Sequence, residues 1–145
     1  MKTNGGFLVT KIKQLGDRIF ERILAEKNID AFNGAQGRIL YVLWQEDGVP
    51  IKIISEKSGL AITSLTTMLE RMEKNGLISR KTDEADKRKT LLFLTDKAKE
   101  LKEAYDSVSN EMGNIYYRDF TDKEILQFEE YLNRIRVNLE EWSDK

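Results

Sequence analysis

"TDEADKRKTLLFLT", residues 82–95, crowds charges of both signs into Asp83 to Lys89 and then switches abruptly to an apolar run. With "LISRKT" ahead of it, the stretch predicts two strands of a β-hairpin. The tip, Asp83 to Lys89, is longer and more polar than a simple turn requires. A mixed charged run is by default a solvated loop, so its meaning depends on its neighbours.

The neighbours upstream are two short helices in close succession, "IKIISEKSG" and "ITSLTTMLERMEKNG", residues 51–59 and 62–76. Ile54, Ser55, Gly59, Leu60, Leu65 and Met68 have the spacing of a helix-turn-helix. A small residue lets the helices cross closely, a glycine tolerates the turn, and the apolar set locks the pair. Thr63, Ser64, Thr66 and Thr67 then point outward from the first turns of the second helix, where short hydroxyls can meet phosphate oxygens or base edges in a major groove. They serve equally well as capping and solubilising residues. Ser58 stands where an apolar residue is common. Arg71, one turn further on, is the nearest cation and suits a backbone phosphate.

Helix-turn-helix followed by a hairpin is the order of a winged helix. In that arrangement the tip reaches the adjacent minor groove, whose negative potential favours arginine. Lys87, Arg88 and Lys89 become the DNA-facing tip, and Asp86 can hold the Arg88 guanidinium in one orientation through a bidentate pair.

Composition narrows the alternatives. The chain has 145 residues with no cysteine and no histidine, which removes disulfides, thiolate chemistry and the commonest general base and metal ligand. No phosphate-cradling glycine loop or nucleophile elbow accompanies its scattered carboxylates, so no enzyme, cofactor or metal is expected. No apolar run approaches a membrane span, and the N-terminus lacks a leader pattern, so the expected location is the cytoplasm. Net charge is −1, but Lys52 to Thr90 carries nine basic residues against six acidic ones, leaving the acidic excess outside this stretch.

The flanks read as helices. Leu8, Ile12, Leu15, Ile19 and Ile23 share one face of a first helix. "NGAQGRILYVLWQEDG", residues 33–48, opens on an Asn33/Gln36 capping box and stops at Gly48 in the position of a C-terminal glycine. Beyond the hairpin, Thr95 starts a helix expected to continue to about Tyr117. Thr121 with Glu124 forms a second capping box, with Phe120 and Ile125 at staple positions. The expected fold class is mainly α with a small β-hairpin wing, a winged helix-turn-helix at about 49–95. Terminal helices at about 5–28 and 96–143 flank it as the dimerisation region of a single domain, 1–145.

"DKRKTLLFLT" resembles the Asp-x-Arg-x-x-x-Leu-x-Leu-Thr wing signature of MarR-type transcriptional regulators through Asp86, Arg88, Leu92, Leu94 and Thr95, preceded by "LERMEKNGLISR". The resemblance extends to helix order and length. It implies a homodimer on a pseudo-palindromic operator in double-stranded DNA, a repressor in many members, and often a small aromatic or phenolic effector that weakens binding. Thiol-based peroxide sensing is excluded by the missing cysteine. By the same resemblance an effector site would involve Phe20, Arg38, Tyr41, Trp44 and Tyr105, which otherwise read as core aromatics and a surface arginine.

Ile125, Phe128, Leu132, Ile135, Leu139 and Trp142 alternate steps of three and four along the last helix, a seam that buries itself against other helices. With Phe7 and Leu8 it is expected to form the subunit interface; packing within one subunit is the alternative. A winged-helix module that docks a protein partner remains a second functional reading, although such a module has no need of three consecutive basic residues at the wing tip.

Overall fold

The computed structural model describes residues 1–145. It runs α1 (Gly5–Glu26), α2 (Gly34–Gln45), β1 (Val49–Pro50), α3 (Ile51–Ser58), α4 (Ile62–Lys74), β2 (Ile78–Thr82), β3 (Thr90–Leu94), α5 (Asp96–Glu100), α6 (Lys102–Tyr116) and α7 (Asp122–Ser143). The chain forms two compact units, Met1–Asn110 and Glu111–Lys145.

Side-chain caps decide where helices start. Asn33 Oδ1 accepts from the Gln36 amide at 2.8 Å while Gln36 Oε1 accepts from the Asn33 amide at 3.1 Å, closing the predicted box on α2. Thr121 and Glu124 do the same for α7, at 3.1 and 2.9 Å. Each box satisfies two amides that helical geometry leaves without partners, and its loss costs about 1 kcal/mol. The Glu21 carboxylate of α1 adds a third acceptor at the start of α2, 2.6 Å from the Gly34 amide.

Helix ends follow a different logic. Gly76 closes α4 with φ +73°, its amide donating to Glu73 O and the Leu77 amide to Met72 O, a Schellman motif. Gly48 does not close α2 as expected. The helix stops at Gln45 with Glu46 already extended, and Gly48 (φ +70°) instead turns the chain into β1. The helix expected from Thr95 to Tyr117 is divided at Leu101, whose amide donates three residues back to Ala98 O, so a tightened turn separates α5 from α6.

In the first unit the core joins α2, α3, α4 and the base of the sheet. Leu65, Leu69 and Met72 are fully buried along one face of α4, as are Ile39 and Leu40 of α2 and Ile54 of α3. Each such side chain contributes about 1.5–3 kcal/mol by leaving water. Leu69→Ala would cost about 2–5 kcal/mol.

The sheet has three strands in the order β1-β3-β2, all antiparallel, where the sequence predicted two. The extra strand pairs Val49 with Leu92 and Pro50 with Leu91. Two residues are too few to show a strand's alternation, and proline, lacking an N–H, is tolerated because β1 lies at the sheet edge. The hairpin register runs from Ile78↔Leu94 to Thr82↔Thr90, which leaves residues 83–89 as the tip, as predicted. Along β3, Leu92 and Leu94 are buried while Leu91 and Phe93 are half-buried, the two-residue period of a strand with one face on the core.

The second unit holds the end of α6 and all of α7. Tyr117 organises it, with Oη donating to Glu129 Oε2 at 2.7 Å and its ring edge-on to Phe120 and Phe128 at 5.7 and 6.2 Å. No residue of α7 is buried.

Candidate nucleic-acid interface

The turn between α3 and α4 consumes its own polar groups. Gly59 sits at φ +75° and donates to Ser55 O at 3.0 Å, Ser55 Oγ donates to Leu60 O at 2.7 Å, and Ser58 Oγ accepts from the Leu60 amide at 3.2 Å. Ser58, at a position where the sequence pattern favours an apolar side chain, is buried yet satisfied. Ser55 is therefore more than a small residue at a crossing: its hydroxyl closes the turn.

With the turn closed and Leu65, Leu69 and Met72 turned inward, Thr63, Ser64, Thr66, Thr67 and Arg71 all lie on the exposed face of α4. None of the four hydroxyl residues caps the helix. The N-cap is Ala61, which has no side chain to offer. Thr66 Oγ1 donates back to Ile62 O at 3.0 Å. The leading amides of α4 thus keep the partial positive charge of a helix N-terminus, beside exposed hydroxyls that can donate to an anion.

The wing tip is organised by its two aspartates. Asp83 Oδ1 accepts from the Ala85 amide at 2.9 Å, and the Asp83 amide donates to Lys89 O at 2.9 Å, carrying the hairpin ladder one step into the loop. Asp86 Oδ1 accepts from both the Arg88 amide and Arg88 Nε at 3.1 Å, and Oδ2 lies 3.4 Å from Nη2. The Arg88 side chain is nevertheless 91% exposed, against 30% for Asp86. The hydrogen bonds from the Arg88 side chain and amide, with the nearby Lys89 charge, hold the Asp86 carboxyl below its usual range. A guanidinium held in one orientation and still open to solvent can enter a narrow groove without first losing its freedom. Lys87 and Lys89 are exposed on either side of it. Behind the tip, Arg80 Nε lies 3.5 Å from Glu73 Oε1, a solvent-exposed tie between β2 and α4 that contributes at most about 1 kcal/mol.

The five residues named for an effector are brought together around one ring. Tyr105 lies 6.1 Å from Phe20, 5.8 Å from Tyr41 and 5.3 Å from Trp44, centroid to centroid. Arg38 approaches Asp17 at 3.8 Å and exerts its charge on Tyr105. Burial, and then Tyr41, push the Tyr105 phenol up, and Arg38 opposes them. Trp44 Nε1 donates to Ala98 O at 3.1 Å. The sequence reading missed Phe32, whose ring is 6.0 Å from Tyr105. Its signal was available: Phe32 immediately precedes the Asn33 cap, the position of a hydrophobic staple. The staple partner would be Gly37, where a Cβ would lie 3.0 Å from Tyr105 and 3.2 Å from Phe32, so the rings fill that space instead.

The residues expected at a subunit interface are exposed at both ends of the chain. Phe7 and Leu8 stand out from the first turns of α1, and Ile135, Leu139 and Trp142 from the later turns of α7, with Trp142 73% exposed. Ile125, Phe128 and Leu132 are half-buried. Leu126, Tyr131 and Val137 are also exposed, so the apolar surface of α7 is wider than the predicted seam.

The model of the MarR family matches residues 32–90, the segment from the residue before the Asn33 cap of α2 to the first residue of β3. The HTH-type transcriptional regulator TtmR of Methylorubrum extorquens is 36% identical over 77 residues, 53% of this chain and 40% of that protein. The chain covers less than half the length of the first curated relatives it matches. Among solved structures, a mutant of MarR from E. coli complexed with operator DNA superposes with a TM-score of 0.80 at 22% identity, over 90% of this chain and 91% of that one. Bordetella bronchiseptica BpsR, described with the regulation of its DNA binding by 6-hydroxynicotinic acid, does so with a TM-score of 0.82 at 18% identity, over 92% and 99%. No helix of this chain is long and apolar enough to cross a membrane. Sequence match, wing signature and winged helix-turn-helix architecture agree: over residues 32–90 the chain is similar to the MarR family, and its fold is that of the MarR structures.

Proposed function

We propose that this chain works as a cytoplasmic homodimer, one MarR-like domain per subunit over residues 1–145, that reads a pseudo-palindromic operator. Thr63, Ser64, Thr66, Thr67 and Arg71 of α4 enter the major groove, and Asp86, Lys87, Arg88 and Lys89 of the wing address the minor groove. The observation that carries the reading is the oriented, solvent-open Arg88 at the tip of a hairpin that follows a helix with an uncapped N-terminus. The structural likeness to a relative solved with operator DNA supports the same partner.

A second copy is the occupant that best explains the exposed apolar residues of α1 and α7, since a 22-residue helix with no buried residue gains little by folding alone. Two-fold symmetry then presents two copies of α4 about one DNA turn, ~34–36 Å, apart. The protein acts as a repressor, released by a small aromatic or phenolic effector at Phe20, Arg38, Tyr41, Trp44 and Tyr105, where one cation could meet an acidic group. The relative regulated by 6-hydroxynicotinic acid supports that chemistry. Release requires the effector to favour the conformation that does not bind DNA by the free energy the operator loses.

The test is selection from a randomised duplex pool, followed by fluorescence anisotropy of the enriched duplex across a salt titration. Enrichment of a palindrome is expected, with affinity falling roughly 10³- to 10⁵-fold between 50 and 200 mM salt for six to ten phosphate contacts. A pool that enriches no sequence would reject the assignment in favour of a winged helix that docks protein.

A further inference from the structure

β1 is two residues long and can pair with only part of the outer edge of β3. On that edge the Gly48 amide donates to Leu92 O at 3.0 Å. Two residues along the strand the Leu94 amide faces the same way, because N–H directions repeat with a period of two. Its acceptor is Asp47 Oδ1, at 2.8 Å and part-buried, in place of a backbone carbonyl.

The next residue tightens the same join. Gly48 lies against the Phe93 ring so closely that a Cβ would fall 2.6 Å from Cε1, and Lys81 Nζ of β2 stands 5.3 Å from the centroid of that ring. The loop after α2 thus holds β3 by two hydrogen bonds, at Leu92 O and the Leu94 amide, and by one ring, at the end of the strand opposite the tip. From Leu94 to the tip is about 16 Å at ~3.3 Å per residue, so a tilt of about 5° at the base would move Arg88 by about 1.4 Å.

We propose that Asp47 is a positioning residue for DNA binding: by accepting the Leu94 amide it fixes the base of the wing, and through the rigid hairpin it sets where Arg88 meets the duplex. The proposal rests on the DNA-binding reading above. A carboxylate acceptor is stronger than a neutral one, and removing it leaves the Leu94 amide part-buried and unpaired, so the strand shifts to find water.

The experiment measures operator affinity by anisotropy for wild type, Asp47→Ala, Asp47→Asn, Arg88→Ala and the Asp47→Ala/Arg88→Ala double variant, with exchange of the Leu94 amide followed by NMR. Asp47→Ala is expected to weaken binding about tenfold and to expose the Leu94 amide, and its effect should shrink below about twofold once Arg88 is already alanine. Asp47→Asn, which keeps an oxygen acceptor, should stay within about twofold of wild type. If the alanine variant does not fold, Asp47→Ser makes the same comparison with a shorter polar side chain.

Full affinity in Asp47→Ala beside a weakened Arg88→Ala would overturn the proposal and leave DNA binding standing. So would a loss that persists undiminished in the double variant, since Asp47 would then act through something other than Arg88. Wild type that binds no duplex would remove the DNA-binding reading itself, and the proposal with it.

Discussion

One oxygen of Asp86 serves Arg88 twice: Oδ1 lies 3.1 Å from the Arg88 amide and 3.1 Å from its Nε. The first bond shapes the turn and the second aims the side chain, so the backbone of the tip and the direction of its arginine are set by the same atom.

Arg88→Ala should therefore cost about 1–3 kcal/mol of operator binding while leaving the melting temperature close to wild type, because the removed side chain is exposed. Arg88→Lys should recover only part of that loss, since an ammonium cannot reproduce the planar fork. Anisotropy titrations paired with circular dichroism read both quantities. Unchanged affinity in a folded Arg88→Ala protein would reject the wing assignment.

The same pair predicts a pH dependence. The Asp86 carboxyl is held below its ordinary value by hydrogen bonds from the Arg88 side chain and amide. Its contribution is present above the unfolded carboxylate value of about 3.9 and is lost only as pH falls through the lower folded value. The geometry of the tip should be constant from pH 8 down to about 5. In Arg88→Ala the Asp86 titration, followed by carboxyl carbon NMR, should move upward; a titration that stays put would mean Arg88 is not what holds it.

The exposed seam of α7 predicts assembly. Leu139→Asp places a charge where the single subunit has only solvent, so it should leave the fold of one chain intact and shift sedimentation from dimer to monomer, with operator binding lost in parallel. Leu132→Asp, half-buried on the same helix, should also lose dimer and operator binding together. A Leu139→Asp protein that still sediments as a dimer would move the interface elsewhere.

Two glycines with the same backbone should differ in their tolerance of alanine. Gly48 and Gly59 have φ values of +70° and +75°, but an added Cβ meets Phe93 at 2.6 Å in the first and nothing within 4 Å in the second. Gly59→Ala should cost only the left-handed backbone penalty, about 1–2 kcal/mol in urea unfolding. Gly48→Ala should cost more, because the Phe93 ring must move as well. Equal losses would show that the ring yields freely.

Tyr117 predicts an alkaline transition. Burial, and then its hydrogen bond to the Glu129 carboxylate, push its phenol up to about 12. A raised folded value favours the neutral phenol, so its contribution is complete below pH ~10, the unfolded value, and is lost as pH rises through the folded one. Absorbance at the phenolate band should show a late-titrating tyrosine that disappears in Tyr117→Phe and titrates earlier in Glu129→Gln.

What the sequence by itself determined is local. The two capping boxes, the closed α4 terminus, the tip at residues 83–89 and the Asp86 to Arg88 bond join residues a few positions apart, and such spacing is written in the chain. The tertiary structure alone decided what depends on segments far apart meeting. β1 was illegible because two residues carry no period. Asp47 reads as a loop aspartate until β3, 47 positions away, leaves an amide for it. Gly48 reads as a helix terminator until the Phe93 ring arrives beside it. Tyr105 gathers rings from α1, α2 and the segment between them, an assembly that no periodicity along one helix encodes. The geometry of the wing tip was legible because its bonds join neighbours in sequence; how the wing is held at its base was not, because the partners there are brought together only when the sheet forms.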